Sequence, residues 1–99
     1  MSFLRWPFKD PDEVLDYRID WLGTSSDPGP LYGLTDAIAN SLWVVPAGIS
    51  SETETNDDGS TTIWLSGGTV GDTYEILNRI TTDDGRVFDQ TVKLSIKTK

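Results

Sequence analysis

The chain predicts an all-β fold, an immunoglobulin-like β-sandwich of six to seven antiparallel strands behind an extended N-terminal arm. Leu15, Tyr17, Ile19 and Trp21 alternate with Asp16, Arg18 and Asp20, the period of two of a strand with one buried face. Turn-forming Gly, Pro, Asn and Asp recur roughly every 8–12 residues, the spacing of small sandwiches and barrels. No window carries apolar residues at the helical period of about 3.6 residues.

In order along the chain, residues 1–13 form the arm and residues 14–99 the sandwich domain. In the arm Phe3, Leu4, Trp6 and Phe8 are interrupted by Pro7 and followed by Pro11, and two prolines so close oppose helix. The strand from Leu15 ends at a long loop, residues 23–36, rich in Gly, Ser, Pro and Asp. At about fourteen residues it exceeds the usual two to six, and such loops are often functional. Residues 38–45 read as the next strand, stopped by Pro46. Residues 49–55 are polar enough for an edge or solvent-facing strand, with Glu52 and Glu54 guarding it. Asn56-Asp57-Asp58-Gly59 is a turn. Residues 61–65 follow, with Ile63 and Leu65 on one face and Trp64 on the other. Beyond Gly67-Gly68, Tyr74, Ile76, Asn78 and Ile80 share a face. Tyr74 stands where a sandwich sets a tyrosine corner, its hydroxyl bonded back to the backbone; an ordinary core tyrosine is the alternative. Asp83-Asp84-Gly85 makes a hairpin into residues 87–97, where Phe88, Val92, Leu94 and Ile96 line one face and Gln90 interrupts it.

Composition excludes much. The chain of 99 residues has no cysteine and no histidine, so disulfides, thiolate chemistry and the commonest general base are missing. Sixteen acidic side chains against eight basic ones give a net charge of −8, which repels phosphate backbones and anionic lipid. No nucleic-acid or membrane partner is expected, and no apolar run is long enough to span a bilayer. The N-terminus lacks the apolar stretch of a signal peptide, so synthesis in the cytoplasm without standard export is expected.

Carboxylate pairs such as Asp57/Asp58 and Asp83/Asp84 sit beside turn glycines. Acid–base catalysis needs one raised carboxyl, whereas turn carboxylates should titrate normally. Their spacing does not make a calcium loop, and Gly67-Gly68 is no phosphate cradle. No catalytic residue, cofactor or metal is expected, and the protein is read as a binder and not an enzyme. The four tryptophans carry the candidate contacts. Trp21 and Trp43 fit a core, and Trp64 faces away from Ile63 and Leu65. Phe3, Leu4, Trp6 and Phe8 either insert into a partner or fold back, while Tyr32 stands in the long loop. Phe3, Leu4, Trp6, Phe8, Tyr32 and Trp64 are therefore the candidate partner-binding residues.

Three stretches together resemble a family of small tailed-bacteriophage and prophage proteins with immunoglobulin-like folds. They are Trp6-Pro7 with residues 9–17 and Ile19-Asp20-Trp21; Ser41-Leu42-Trp43-Val44-Val45-Pro46-Ala47-Gly48; and Trp64-Leu65-Ser66-Gly67-Gly68, continuing to Tyr74-Glu75-Ile76, residues 78–82 and Asp84-Gly85-Arg86. The resemblance covers most of the chain and weakens in residues 23–36 and 49–60. It implies a virion structural component made in the host cytoplasm, fibre-like or head-associated, with no catalytic residues to transfer. On this basis the expected function is a capsid decoration or cement protein bound to the assembled shell. Its partner would be the major capsid protein or another virion protein, with self-association as a trimer and a monomeric knob both open. The alternative is a tail- or fibre-associated adhesion module that recognises host surface sugar or protein.

Overall fold

The computed structural model describes residues 4–99, Leu4 by its backbone alone. Among these residues seven strands follow in order: β1 (Leu4–Arg5), β2 (Leu15–Asp20), β3 (Ile38–Val44), β4 (Ile49–Asn56), β5 (Ser60–Gly67), β6 (Thr73–Thr82) and β7 (Val87–Ser95). One sheet has the order β1-β7-β6-β3 and the other β2-β5-β4. Naming β2 to β7 as strands B to G gives sheets B-E-D and C-F-G, the immunoglobulin arrangement. Six strands pair antiparallel, three to a sheet. The first belongs to the arm, with Leu4 and Arg5 lying parallel to β7 opposite Val92 and Lys93. The direction follows from connectivity. Both the arm and β7 run toward the end of the sandwich where β2 begins, so the entering chain lies alongside β7.

The core forms where the alternating apolar faces meet. Ile63 and Leu65 of β5, Ile76 and Ile80 of β6, and Val92 and Leu94 of β7 are fully covered, and Trp21 closes the end of β2. Asn78 is buried among them with every polar atom engaged. Its Oδ1 accepts from Trp21 Nε1 at 3.1 Å and Thr61 Oγ1 at 2.7 Å. Its Nδ2 donates to Ser41 Oγ at 2.9 Å and the Leu42 carbonyl at 3.0 Å. This one amide ties the two sheets together, as a buried polar group must be satisfied.

Tyr74 makes the tyrosine corner. The Thr69 amide donates to its hydroxyl at 3.0 Å. Gly48, at φ +99°, lies under the ring, where a Cβ would stand 3.0 Å from the hydroxyl oxygen. In the other sheet β4 keeps only Ile49 buried and is an edge strand. Its register shifts between Ser51 and Thr53, and such bulges blunt strand edges.

The arm lies along the sandwich. Trp6 donates its amide to the Lys93 carbonyl at 3.0 Å, Lys9 to that of Ser95 at 3.1 Å, and Lys97 returns a bond to Lys9 at 2.9 Å. The Lys9 side chain is fully covered, and its Nζ donates to the carbonyls of Asp10 at 2.9 Å and Gly67 at 2.8 Å. Burial lowers its pKa, against the pull of Glu13, Asp10 and Asp12.

Candidate interaction surfaces

The six candidate residues do not share one surface. Phe3 lies outside the described residues, as does the side chain of Leu4. Trp6 belongs to the core. Its ring stacks on Tyr17 at 4.6 Å between centroids and lies 6.2 Å from Trp43. The Tyr17 hydroxyl and Trp43 indole N–H, which flank this packing, have no partner among the described residues. Burial pushes the tyrosine up to about 12, helped by Glu13 and Asp16. Phe8 is 44% exposed, with the Lys97 ammonium 3.9 Å above its ring centroid, a cation–π contact.

Tyr32 stands at the opposite end, where three connections converge: residues 21–37, the turn before β5 and the hairpin between β6 and β7. Interlocking bonds hold them together. The Ile38 amide reaches the Asp58 carbonyl at 3.0 Å, Asp83 reaches Ala37 at 3.0 Å, and Trp21 and Leu22 both donate to Gly59. The long loop is pinned from within by Leu31, 1% exposed, whose amide bonds the Trp21 carbonyl at 3.0 Å. Sequence reading passed over Leu31. The available signal was an apolar residue between Pro30 and Tyr32 in an otherwise polar stretch.

Aspartates build this end. Asp36 takes the Thr82 hydroxyl, the Arg86 guanidinium at 2.8 Å and the amides of Asp84 and Ala37. Together they hold its carboxyl at about 2, as donors to the charged form do. Asp57 Oδ1 accepts from the Gly59 amide at 3.0 Å and from the Ser60 amide and hydroxyl, each at 2.8 Å. Its pKa is lowered by these bonds, Gly59 foremost, which corrects the expectation of ordinary titration. The shift runs away from what a general acid requires. Among the described residues no group of three or more acidic side chains converges to hold a metal ion.

What this end exposes is apolar surface in an acidic rim. Leu22, Tyr32 and Leu34 stand in solvent. Around them lie Asp20, Asp27, Asp57, Asp58, Asp83 and Asp84, while the covered Asp36 carboxylate is paired with Arg86, the only basic residue in segments 20–37, 56–60 and 82–87. A rigid loop cluster carrying exposed apolar groups can seat a partner without first ordering itself.

Trp64 occupies a separate place, the outer face of the β2-β5-β4 sheet. It is 40% exposed, with Asp16 of β2 and Thr53 of β4 opposite it in register.

The chain matches the family model Gp77, described as podophage GP4 fiber-tail adaptor protein gp77, over residues 9–95. The match takes in β2 to β7, Tyr32 and Trp64, and begins after Phe8. No curated protein matches the chain.

Proposed function

The chain belongs to the podophage fibre-tail adaptor family and is a virion structural protein; from that premise we propose that it sits at the tail and joins a fibre to it by docking, without catalysis. The family favours the tail over the head, so the capsid shell gives way to a fibre or tail protein as the partner. Recognition of host sugar or protein is not needed for this role.

The observation that carries the proposal to a surface is the loop end. Leu22, Tyr32 and Leu34 are exposed there on loops whose backbones are bonded to one another at Trp21, Asp58, Gly59 and Asp83. Apolar side chains held rigid at the end of a sandwich favour partner docking, since an interface gains most where apolar anchors are buried at low ordering cost. The rim of aspartates suits a basic partner and speeds encounter with it.

Immunogold labelling of intact virions tests the location. Gold at the tail is expected, and gold on the head overturns the proposal. A Tyr32→Ser, Leu34→Ser double variant tests the surface. Both side chains are exposed, so the variant should fold normally yet bind tails or fibres at least about tenfold more weakly. Binding as tight as wild type would remove the loop end from the contact.

A further inference from the structure

We propose that the outer face of the β2-β5-β4 sheet receives an arginine or lysine side chain of a second virion protein, with Trp64 as the aromatic floor and Asp16 and Glu52 as acidic walls. The inference deepens the adaptor reading, since joining two structures takes a second surface apart from the loop end.

Trp64 is the starting observation. It sits on β5, the central strand of its sheet, and points away from the core formed by Ile63 and Leu65. The indole is 40% exposed there, and its cross-strand neighbours Asp16 and Thr53 are both polar. Strands on both sides support the ring laterally, leaving its exposed surface toward solvent.

The carboxylates are placed by register. Asp16 lies directly opposite Trp64 across the β2–β5 ladder, at the roughly 4.5–5.5 Å Cβ separation of cross-strand neighbours. Glu52 is the residue passed over in the register shift of β4. Ser66, two residues beyond Trp64 on the same strand, donates its hydroxyl to Glu52 Oε2 at 2.6 Å. That bond brings the carboxylate onto the tryptophan's face and fixes it before any partner arrives. Arg18, two residues along β2 from Asp16 and opposite Thr62, is the cation this strand adds to the same face.

An exposed indole between two carboxylates is complementary to a cation. Tryptophan binds ammonium and guanidinium groups best of the aromatics, within about 6 Å of the ring, and an arginine can stack its plane while its N–H groups reach both acids. A neutral sugar could also stack on the ring, but would gain nothing from the paired negative charge.

The test uses the full chain, labelled with 15N, and follows the Trp64 indole N–H during titration with a capped Gly-Arg-Gly peptide. A Gly-citrulline-Gly peptide of the same shape without the charge is the control. The expected result is a saturable shift at Trp64, about tenfold weaker for citrulline. The Asp16→Asn, Glu52→Gln double variant should weaken arginine binding by a similar factor and leave the Trp21 and Trp43 signals in place. Equal binding of both peptides, or no response at Trp64, overturns the proposal. So does a response to a neutral oligosaccharide without one to arginine. Failure here with gold at the tail removes only the cation site; success with gold on the head removes only the adaptor reading.

Discussion

Replacing Asn78 by leucine should unfasten the two sheets at the point where one side chain joins three others and a backbone carbonyl. Trp21 Nε1 would keep Thr61 Oγ1 at 3.1 Å, but the Thr61 hydroxyl would lose its acceptor and the Leu42 carbonyl its side-chain donor. Two stranded polar groups cost about 1–3 kcal/mol each, and the added apolar burial returns about 1–2 kcal/mol. The expected net loss is about 2–4 kcal/mol. For a domain of this size that lowers Tm by about 10–25 °C. Asn78→Asp sharpens the test, because it keeps the acceptor but loses the donor. Its buried carboxylate would face the Leu42 carbonyl and should have a pKa raised above the ordinary value of about 3.9. A raised folded pKa means the stability is fully present below the unfolded value and is lost as pH rises through the folded one. The aspartate variant should therefore approach wild type near about pH 4 and fall well below it near about pH 7. Urea unfolding followed by tryptophan fluorescence measures both. A leucine variant within about 0.5 kcal/mol of wild type, or an aspartate variant with wild-type pH dependence, would refute the reasoning.

Trp6→Ala should cost about 3 kcal/mol by urea unfolding, the low end for a buried aromatic, because water then reaches the unpartnered Tyr17 hydroxyl and Trp43 N–H. Tyr74→Phe removes the acceptor of the Thr69 amide and should cost about 1 kcal/mol, read as a fall in Tm of about 4–8 °C. Asp36, held at about 2 from an ordinary 3.8, gives stability that is fully present above 3.8 and lost as pH falls toward 2. The Tm gap between wild type and Asp36→Asn should thus be constant at neutral pH and close on acidification; a gap that survives to the lowest pH would deny the carboxylate this role.

Strands were legible because alternation is a local signal. The shared face of Tyr74, Ile76, Asn78 and Ile80 is written in sequence order, as are the turn at Asp83-Asp84-Gly85 and the corner tyrosine. The outward direction of Trp64 follows from the same parity. Lys9 was not legible, since its cover depends on the Gly67 carbonyl, 58 positions away, and a lysine is ordinarily exposed. The parallel course of β1 also depends on contacts distant in sequence. Trp6 could fold back or dock by its sequence alone, and only Tyr17 and Trp43 decide that the ring is internal. Tyr32 and Trp64 were found as exposed aromatics, but the Leu31 anchor under one and the Glu52 carboxylate beside the other come from loop docking and a bulge, neither of which leaves a periodic trace.

These long-range devices bear directly on the proposed docking role. An adaptor binds well only if its surfaces are ordered before the partner arrives, because each side chain immobilised on binding costs about 0.5–1.5 kcal/mol. Asn78 fixes one sheet on the other, Leu31 and Asp36 fix the loop end, and the Ser66 hydroxyl fixes Glu52 beside Trp64. The charge distribution then supplies direction. Seven of the sixteen acidic side chains gather at the loop end against Arg86 alone, while at the other end Asp10, Asp12, Glu13 and Asp72 are largely offset by Lys9, Lys97 and Lys99. A basic partner is thus drawn to one end of the sandwich in preference to the other, over a range of about 10 Å at moderate salt. Association with a fibre or tail protein should consequently slow as ionic strength rises, with dissociation less affected, because the acidic rim governs encounter while the apolar groups at its centre govern residence.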